Sequence, residues 1–210
     1  MSKKKIKEFA QEIDIPYLVH FTHISNLEGI LVDGLRSRDF VDASDEEIII
    51  NDEGRHDERT HTISLSIAHP NDLMFYKYRE KDEDWCVIAL KRKVLWENDC
   101  LFFKHNAADG RVSNLHDDDL SKFEAFQGMY DEIDGLDSRE AQCLEAFDPT
   151  DKQAEVLVVD HIPAEHILGV FLSNRHVKKT YKDILGDTKV AIHSPDKGVY
   201  ATRLYRRKWQ

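Results

Sequence analysis

Apolar and polar positions alternate in blocks along this chain, and each block predicts an element. Residues 3–13 carry an amphipathic pattern that predicts a short helix, ended by Pro16. LVHFTH then predicts a strand over 17–22, with Leu18, Val19 and Phe21 as β-formers. A helix over 25–33 follows, with Ser25 and Glu28 in capping-box spacing, Leu27, Ile30 and Leu31 as its apolar stripe and Gly34 as its stop. Residues 36–61 are polar, acidic and turn-like; a loop this long inside a compact domain is often a functional lid. THTISLSI (60–67) alternates as a strand does, His69-Pro70-Asn71 breaks it, and NDLMFYKYRE reads as a helix with aromatic residues at 75, 76 and 78. WCVIALK (85–91) is a strand, and 93–97 a helical turn.

The second half repeats the mixture. Residues 98–112 read as a turn-rich connection, 117–130 as a helix and 131–153 as a polar loop. AEVLVVD (154–160) and ILGVFLS (167–173) are apolar enough to be buried strands, with Pro163 before a short turn between them. Residues 176–185 look helical, and 189–192 and 199–205 carry weak β character. No internal repeat or low-complexity linker interrupts the pattern. Strands and helices do not alternate as strict βαβ units, so the expected class is α+β.

Composition narrows the function more than the fold. The chain has 210 residues, which suits a single domain over 1–210. Its net charge of −11 argues against coating duplex DNA by charge alone, since such binding depends on Lys and Arg neutralising phosphates. Basic clusters at Lys3–Lys5, Lys91–Lys93, Lys178–Lys179 and Arg203–Lys208 still allow a local groove. Three cysteines, Cys86, Cys100 and Cys143, with no CxxC spacing, fit a reducing compartment without structural zinc. MSKKKIKEF has no apolar core of a signal peptide, and no run reaches the ~18 apolar residues of a membrane helix, so a cytoplasmic protein without membrane contact is expected. No HExxH and no Cys/His cluster appears, so no metal is expected; GxGxxG, P-loop and GxSxG motifs are also absent.

Four places carry candidate chemistry. His20 and Thr22 lie two apart and share one strand face, with Phe21 on the other, just before a helix N-terminus that can receive an anionic ligand. A His satisfied by neighbouring backbone fits the same pattern. Arg55 and Arg59, in GRHDERTHTISLSI, offer planar forks for phosphate, although a loop Arg is ordinarily solvated. HPNDLMFYKYR interleaves aromatic and basic residues as single-strand nucleic-acid readers do; Phe75 and Met74 suit a core, and Tyr76, Lys77 and Arg79 suit a nucleic acid. Glu155, at the mouth of an apolar strand, is placed to stabilise a cationic sugar, or is an edge Glu facing water.

Taken in order, LVHFTHISNLEGILVDGL, GRHDERTHTISLSIAHPNDLMFYKYR, DWCVIALKRKVLWENDCLFFKHNAA and DKQAEVLVVDHIPAEHI resemble the DarT family of DNA ADP-ribosyltransferases, the toxins of bacterial toxin–antitoxin pairs, over roughly residues 15–170. The PN–MFYKYR segment is similar to the guanine-modifying rather than the thymine-modifying branch. The resemblance implies an ADP-ribosyltransferase fold, two packed and mostly antiparallel sheets with flanking helices, with NAD as co-substrate in the cleft between them. It implies Glu155 and Arg55 as catalytic, and His20, Phe21, Thr22, Asn26, Gly29 and Arg55 as NAD-binding. Arg59 stands near enough to be the counterpart instead of Arg55, and residues 175–210 form a C-terminal extension without a match.

Single-stranded DNA is then the expected acceptor, since a base must leave its stack to react, with Tyr76, Lys77, Arg79, Lys91, Arg92 and the Arg203–Lys208 tail as its groove. A toxin also implies a neutralising antitoxin with ADP-ribosyl hydrolase activity. A protein or RNA ADP-ribosyltransferase, or a non-catalytic nucleotide-binding module, are the competing expectations.

Overall fold

The computed structural model describes residues 2–42, 59–79 and 84–210. Helix α1 (Ser2–Glu12) leads to β1 (Leu18–His23), and a 3-10 turn (Ile24–Asn26) to α2 (Leu27–Asp33). Short elements β2 (Leu35–Arg36) and α3 (Arg38–Asp42) follow, then β3 (Thr62–Ile67), α4 (Asp72–Arg79), β4 (Trp85–Leu90), α5 (Val94–Glu97) and β5 (Cys100–Phe103). After α6 (Asp117–Leu120) and α7 (Phe123–Gly128) come β6 (Glu155–Val159), β7 (His161–Ile162) and β8 (Ile167–Leu172). The chain ends with α8 (Arg175–Thr180), α9 (Lys182–Leu185), β9 (Val190–Ile192) and α10 (Arg203–Trp209).

Among the described residues, seven strands form one sheet in the order β5-β6-β3-β1-β4-β8-β9, and β2 pairs with β7 in a small second sheet. Every ladder among these strands is antiparallel except β8–β9. All six residues of β4 are buried, as befits a central strand covered on both faces. The ladder between β1 and β3 is short: Leu18 pairs with Ile67 and Val19 with Ser66, whereas β1 pairs with β4 along its whole length. The expected two sheets are thus joined into one by a two-pair ladder, and β1 and β3 part company after Val19.

Three apolar clusters hold this frame. The largest gathers α1, α2, α7 and α9 on residues such as Leu18, Ile88, Val156 and Leu172. There Phe126 meets Phe9, Phe102 and Tyr130 edge-on or tilted, at 4.8–5.8 Å between ring centroids. A second cluster packs α4 and Tyr200 on Val19, Trp85 and Val87. The third, of Leu101, Phe103, Ala107, Val112, Leu120 and Leu157, lies at the β5–β6 edge. Among the described residues no helix is long and apolar enough to cross a membrane. Burial pushes the thiols of Cys86 and Cys100 up to about 12, which leaves them poor nucleophiles.

Several expectations from the pattern need correction. The capping box is not formed; His23 Nδ1 accepts from the Ser25 N–H at 3.3 Å and from Ser25 Oγ at 2.8 Å, so the helical start is capped two residues early. Gly34 does stop α2, at φ 89°, and a Cβ there would collide with the backbone of Ile162–Ala164. The helix expected over 117–130 is two helices, because Lys122 is extended between them. The connection 98–112 contains β5, four apolar residues too short to show any alternation. The β character at 199–205 gives way to a 3-10 turn (Gly198–Tyr200) and α10, which Thr202 caps by accepting from the Tyr205 N–H. Of the polar loop 36–61, β2 and α3 occupy the start, and 43–58 lie outside the described residues.

Candidate active site

Glu155 opens β6, is buried, and pairs with Phe103 of β5. Its Oε1 accepts from Asn106 Nδ2 at 3.0 Å and its Oε2 from the Ala107 N–H at 3.1 Å. Both donors sit in the turn just after β5, so a carboxylate on one strand is oriented by the end of its neighbour. Asn106 Nδ2 also lies 3.9 Å from Met74 Sδ, which brings α4 against the turn that holds the carboxylate. Val156 pairs with Leu65. Extending that register by one residue sets Glu155 beside Ser66, which pairs with Val19. The carboxylate therefore stands in the last row before β1 and β3 diverge.

His20 is the first residue of β1 past that row. Its Nδ1–H donates to the Ser64 carbonyl at 2.9 Å, so the ring bridges the gap where backbone pairing has stopped. Burial holds its pKa below the usual 6.5, opposed by the Ser64 bond. A neutral ring with the proton on Nδ1 presents Nε2 as an acceptor, suited to a ribose hydroxyl or an amide N–H. Thr22 is buried, and its Oγ1 accepts from Asn26 Nδ2 at 3.0 Å, linking β1 to the turn before α2. Gly29 is exposed on α2, with nothing within 4 Å of where a Cβ would stand. Phe21 is half-buried on the opposite face, against Phe75, Tyr78 and Trp85 at 5.3–6.3 Å.

Arg55 lies outside the described residues. Arg59 donates from Nε to Asp117 Oδ1 at 3.0 Å, from Nη1 to the Ser113 carbonyl at 3.2 Å and from Nη2 to the Leu115 carbonyl at 3.0 Å. It also lies over the Phe103 ring, 5.2 Å from its centroid. Its guanidinium is committed to the 113–117 segment.

The residues expected to line one nucleic-acid groove divide among α4, the end of β4 and α10. Tyr76 and Lys77 are exposed on α4. Arg79 instead donates to the carbonyls of Pro195 and Tyr200, and lies over Tyr76 at 4.5 Å. Lys91 and Arg92 follow the far end of β4, where Leu90 pairs with Leu18, and Arg92 donates to the Ile15 carbonyl at 3.0 Å. The basic tail is engaged as well. Arg203 donates to the carbonyls of Pro149 and Thr150, Arg206 to that of Ala68 and to Tyr17 Oη, and Arg207 to both oxygens of Asp148. Three of its four basic residues are internal fasteners; Lys208 is exposed.

Sequence reasoning missed the donors to Glu155. Asn106 and Ala107 stand in KHNAA, where the polar run Lys104-His105-Asn106 directly follows the apolar CLFF, and that junction was the available signal. Among the described residues no group of three His, Cys, Asp or Glu side chains could hold a metal ion.

The fold is an ADP-ribosyltransferase fold, and the chain is similar to several solved structures. Thermosipho africanus DarTG in complex with ADP-ribose matches with a TM-score of 0.59 at 18% identity, over 88% of this chain and 50% of that one. Thermus sp. 2.9 DarT matches in complex with ADP-ribosylated ssDNA (TM-score 0.58, 16% identity, 86% of this chain and 95% of that one). The same protein in complex with NAD+ matches with a TM-score of 0.57 at 15% identity, over 86% and 96% of the two chains. At these identities the likeness is one of fold, and the chain spans half the length of the Thermosipho protein. No curated protein matches it. The family model described as "ssDNA thymidine ADP-ribosyltransferase, DarT" matches residues 19–200, and the chain belongs to that family.

Proposed function

We propose that this chain is a single catalytic unit that transfers ADP-ribose from NAD+ to a base in single-stranded DNA and releases nicotinamide, as the toxin of a toxin–antitoxin pair. The observation that carries the reading is the Glu155 carboxylate, held by two N–H donors one row from the point where β1 leaves β3. The bond from ribose C1 to nicotinamide nitrogen breaks, and the sugar becomes oxocarbenium-like. A fixed anion stabilises that cation, and it costs no reorganisation because Asn106 and Ala107 already orient it. Glu155 also orients or deprotonates the attacking base nitrogen. A carboxylate has about four acceptor positions, so donors can fix it without consuming its charge.

His20 Nε2 accepts from the nicotinamide-side ribose or amide, Thr22 holds Asn26 beside it, and α2 with Gly29 lines the same pocket. Phe21 backs this strand against α4. Arg55 grips the pyrophosphate; what supports it over Arg59 is that Arg59 is already engaged by Ser113, Leu115 and Asp117. Guanidinium hardly deprotonates, so Arg55 aligns reactants and offsets charge instead of acting as a base.

For the acceptor, Tyr76 and Lys77 on α4 are the exposed aromatic and basic residues nearest in sequence to Met74, which neighbours Asn106. Guanine is favoured over thymine on the PN–MFYKYR segment, although the family model's description names thymidine. A neutralising antitoxin with ADP-ribosyl hydrolase activity goes with the toxin reading.

The test incubates the protein with labelled NAD+ and short single-stranded oligonucleotides, each lacking one base type, beside Glu155→Gln. Label that requires guanine supports the whole reading. Label that follows thymine keeps the enzyme and moves the base. Label on protein or RNA only, or full labelling by Glu155→Gln, overturns it.

A further inference from the structure

The two donors that orient Glu155 lie in an irregular turn, and the structure shows what holds that turn. His105 Nδ1–H donates to Asp151 Oδ2 at 2.7 Å, and both side chains are buried, at 3% and 7% exposure. His105 is the residue before Asn106 and stands two past Phe103, the strand partner of Glu155. Asp151 stands four before Glu155, in the turn that leads into β6; its Oδ1 accepts from the Gln153 N–H at 2.9 Å and its carbonyl from the Ala154 N–H at 3.1 Å. The pair therefore ties the turn that carries the donors to the turn that launches the acceptor. Neither residue has a strand or helix to fix it. Thr150, next to Asp151, is in turn pinned by Arg139 at its Oγ1 and by Arg203 at its carbonyl.

Resting on the reading of Glu155 above, we infer that His105 and Asp151 are a positioning pair for its carboxylate: they set the register between the end of β5 and the start of β6, so that Asn106 Nδ2 and the Ala107 N–H meet Oε1 and Oε2. A buried polar pair is a poor way to gain stability, since apolar replacements are often as stable, and it is better suited to fixing one geometry. Neither side chain touches a substrate in this scheme. Their effect reaches the reaction only through where the carboxylate sits.

The test uses His105→Asn, which keeps a donor near the place of Nδ1, His105→Leu, and the double variant His105→Leu/Asp151→Leu, which removes the buried carboxylate along with its partner. Positioning predicts that the folded double variant loses kcat about 100-fold, as a small misplacement of a reacting group can. Its KM for NAD+ stays within about twofold, the mark of an interaction made chiefly in the transition state. His105→Asn recovers most of the rate. Amide exchange at Ala107 speeds up in both Leu variants and stays slow in His105→Asn; this readout needs no turnover.

A folded double variant with wild-type kcat and unchanged Ala107 exchange overturns the inference and leaves Glu155 untouched. Full activity of Glu155→Gln instead removes the catalytic reading, while Ala107 exchange still decides whether the pair holds the turn. Should neither Leu variant fold, a His105→Asn protein that folds with slow Ala107 exchange and near-normal kcat supports the pair, and one whose kcat falls with that exchange still slow overturns it.

Discussion

His20 and Ser64 meet where their strands have stopped pairing: the imidazole Nδ1–H donates to the Ser64 carbonyl at 2.9 Å, one residue past the last β1–β3 pair. A side chain takes the place of a backbone ladder, and the opening it spans stays open. His20→Leu would leave the Ser64 carbonyl without this donor, at a stability cost of about 1 kcal/mol. It would also remove the Nε2 acceptor. The expected result is a modest fall in the urea midpoint and a fall of about 2- to 10-fold in kcat/KM for NAD+, as for loss of an uncharged hydrogen bond worth about 0.5–1.5 kcal/mol. His20→Asn, which keeps a donor but not the distal acceptor, should restore the midpoint and not the rate. Steady-state kinetics with urea melts separates the two effects.

Acid should destabilise the protein through its histidines before its carboxylates are reached. His20, His69, His166 and His193 are all held below the usual 6.5, each chiefly by burial. His69 is lowered furthest, since Arg206, Arg203 and Arg207 add positive charge around it. Its Nε2–H donates to the Ala201 carbonyl at 3.1 Å and its Nδ1 accepts from Arg206, so a second proton would turn that contact into repulsion. Because folding lowers these pKa values, the unfolded chain takes up more protons once the pH falls below 6.5. Their contribution is fully present above that pH and is lost as the pH falls towards the folded values. Urea midpoints should drop as the pH falls below about 6.5, and less so in His69→Gln; a flat profile would refute this account.

Much of this frame was legible because its central strands are uninterrupted apolar runs: WCVIAL, EVLVV and ILGVFL are hard to read otherwise. β5 was not, since CLFF is four residues between turn formers and its strand identity comes from pairing with β6. α10 was read as weak β because basic residues fill the positions a helix would leave apolar; those arginines face inward to carbonyls and to Asp148. At the site, Glu155 and His20 stood out by chemistry against apolar neighbours. Asn106 and Ala107 did not, because their role is a contact made 48 or 49 residues along the chain, which no local pattern encodes. Ser25 was a sound capping residue by type, and His23 took the position because its ring reaches the Ser25 N–H.

Gly29 offers a clean separation of fold from ligand. It lies inside α2, where glycine costs about 1 kcal/mol relative to alanine, and a Cβ there meets nothing within 4 Å. Gly29→Ala should therefore raise the melting temperature of the protein alone. If α2 lines the NAD pocket, the same methyl intrudes on the ligand and the KM for NAD+ rises. An unchanged KM in the stabilised variant would place Gly29 away from the pocket.

The last ten residues, 201–210, extend past the segment matched by the family model, yet they fasten the body of the protein. Arg207 grips Asp148 with Nε at 2.5 Å and Nη2 at 2.7 Å, and the Asp148 side chain is fully buried. Arg203 is buried against the carbonyls of Pro149 and Thr150, so α10 closes over the end of the long polar loop that precedes β6. Arg207→Met strands a buried carboxylate and should cost about 3 kcal/mol, whereas Arg207→Met/Asp148→Leu removes both charges and should recover much of that loss. Stability curves for the two variants decide it. Equal destabilisation in both would mean that packing of the arginine stem, and not the ion pair, holds α10 in place. A chain ending at residue 200 should lose more than the single variant, because it gives up the Arg203 and Arg206 bonds as well.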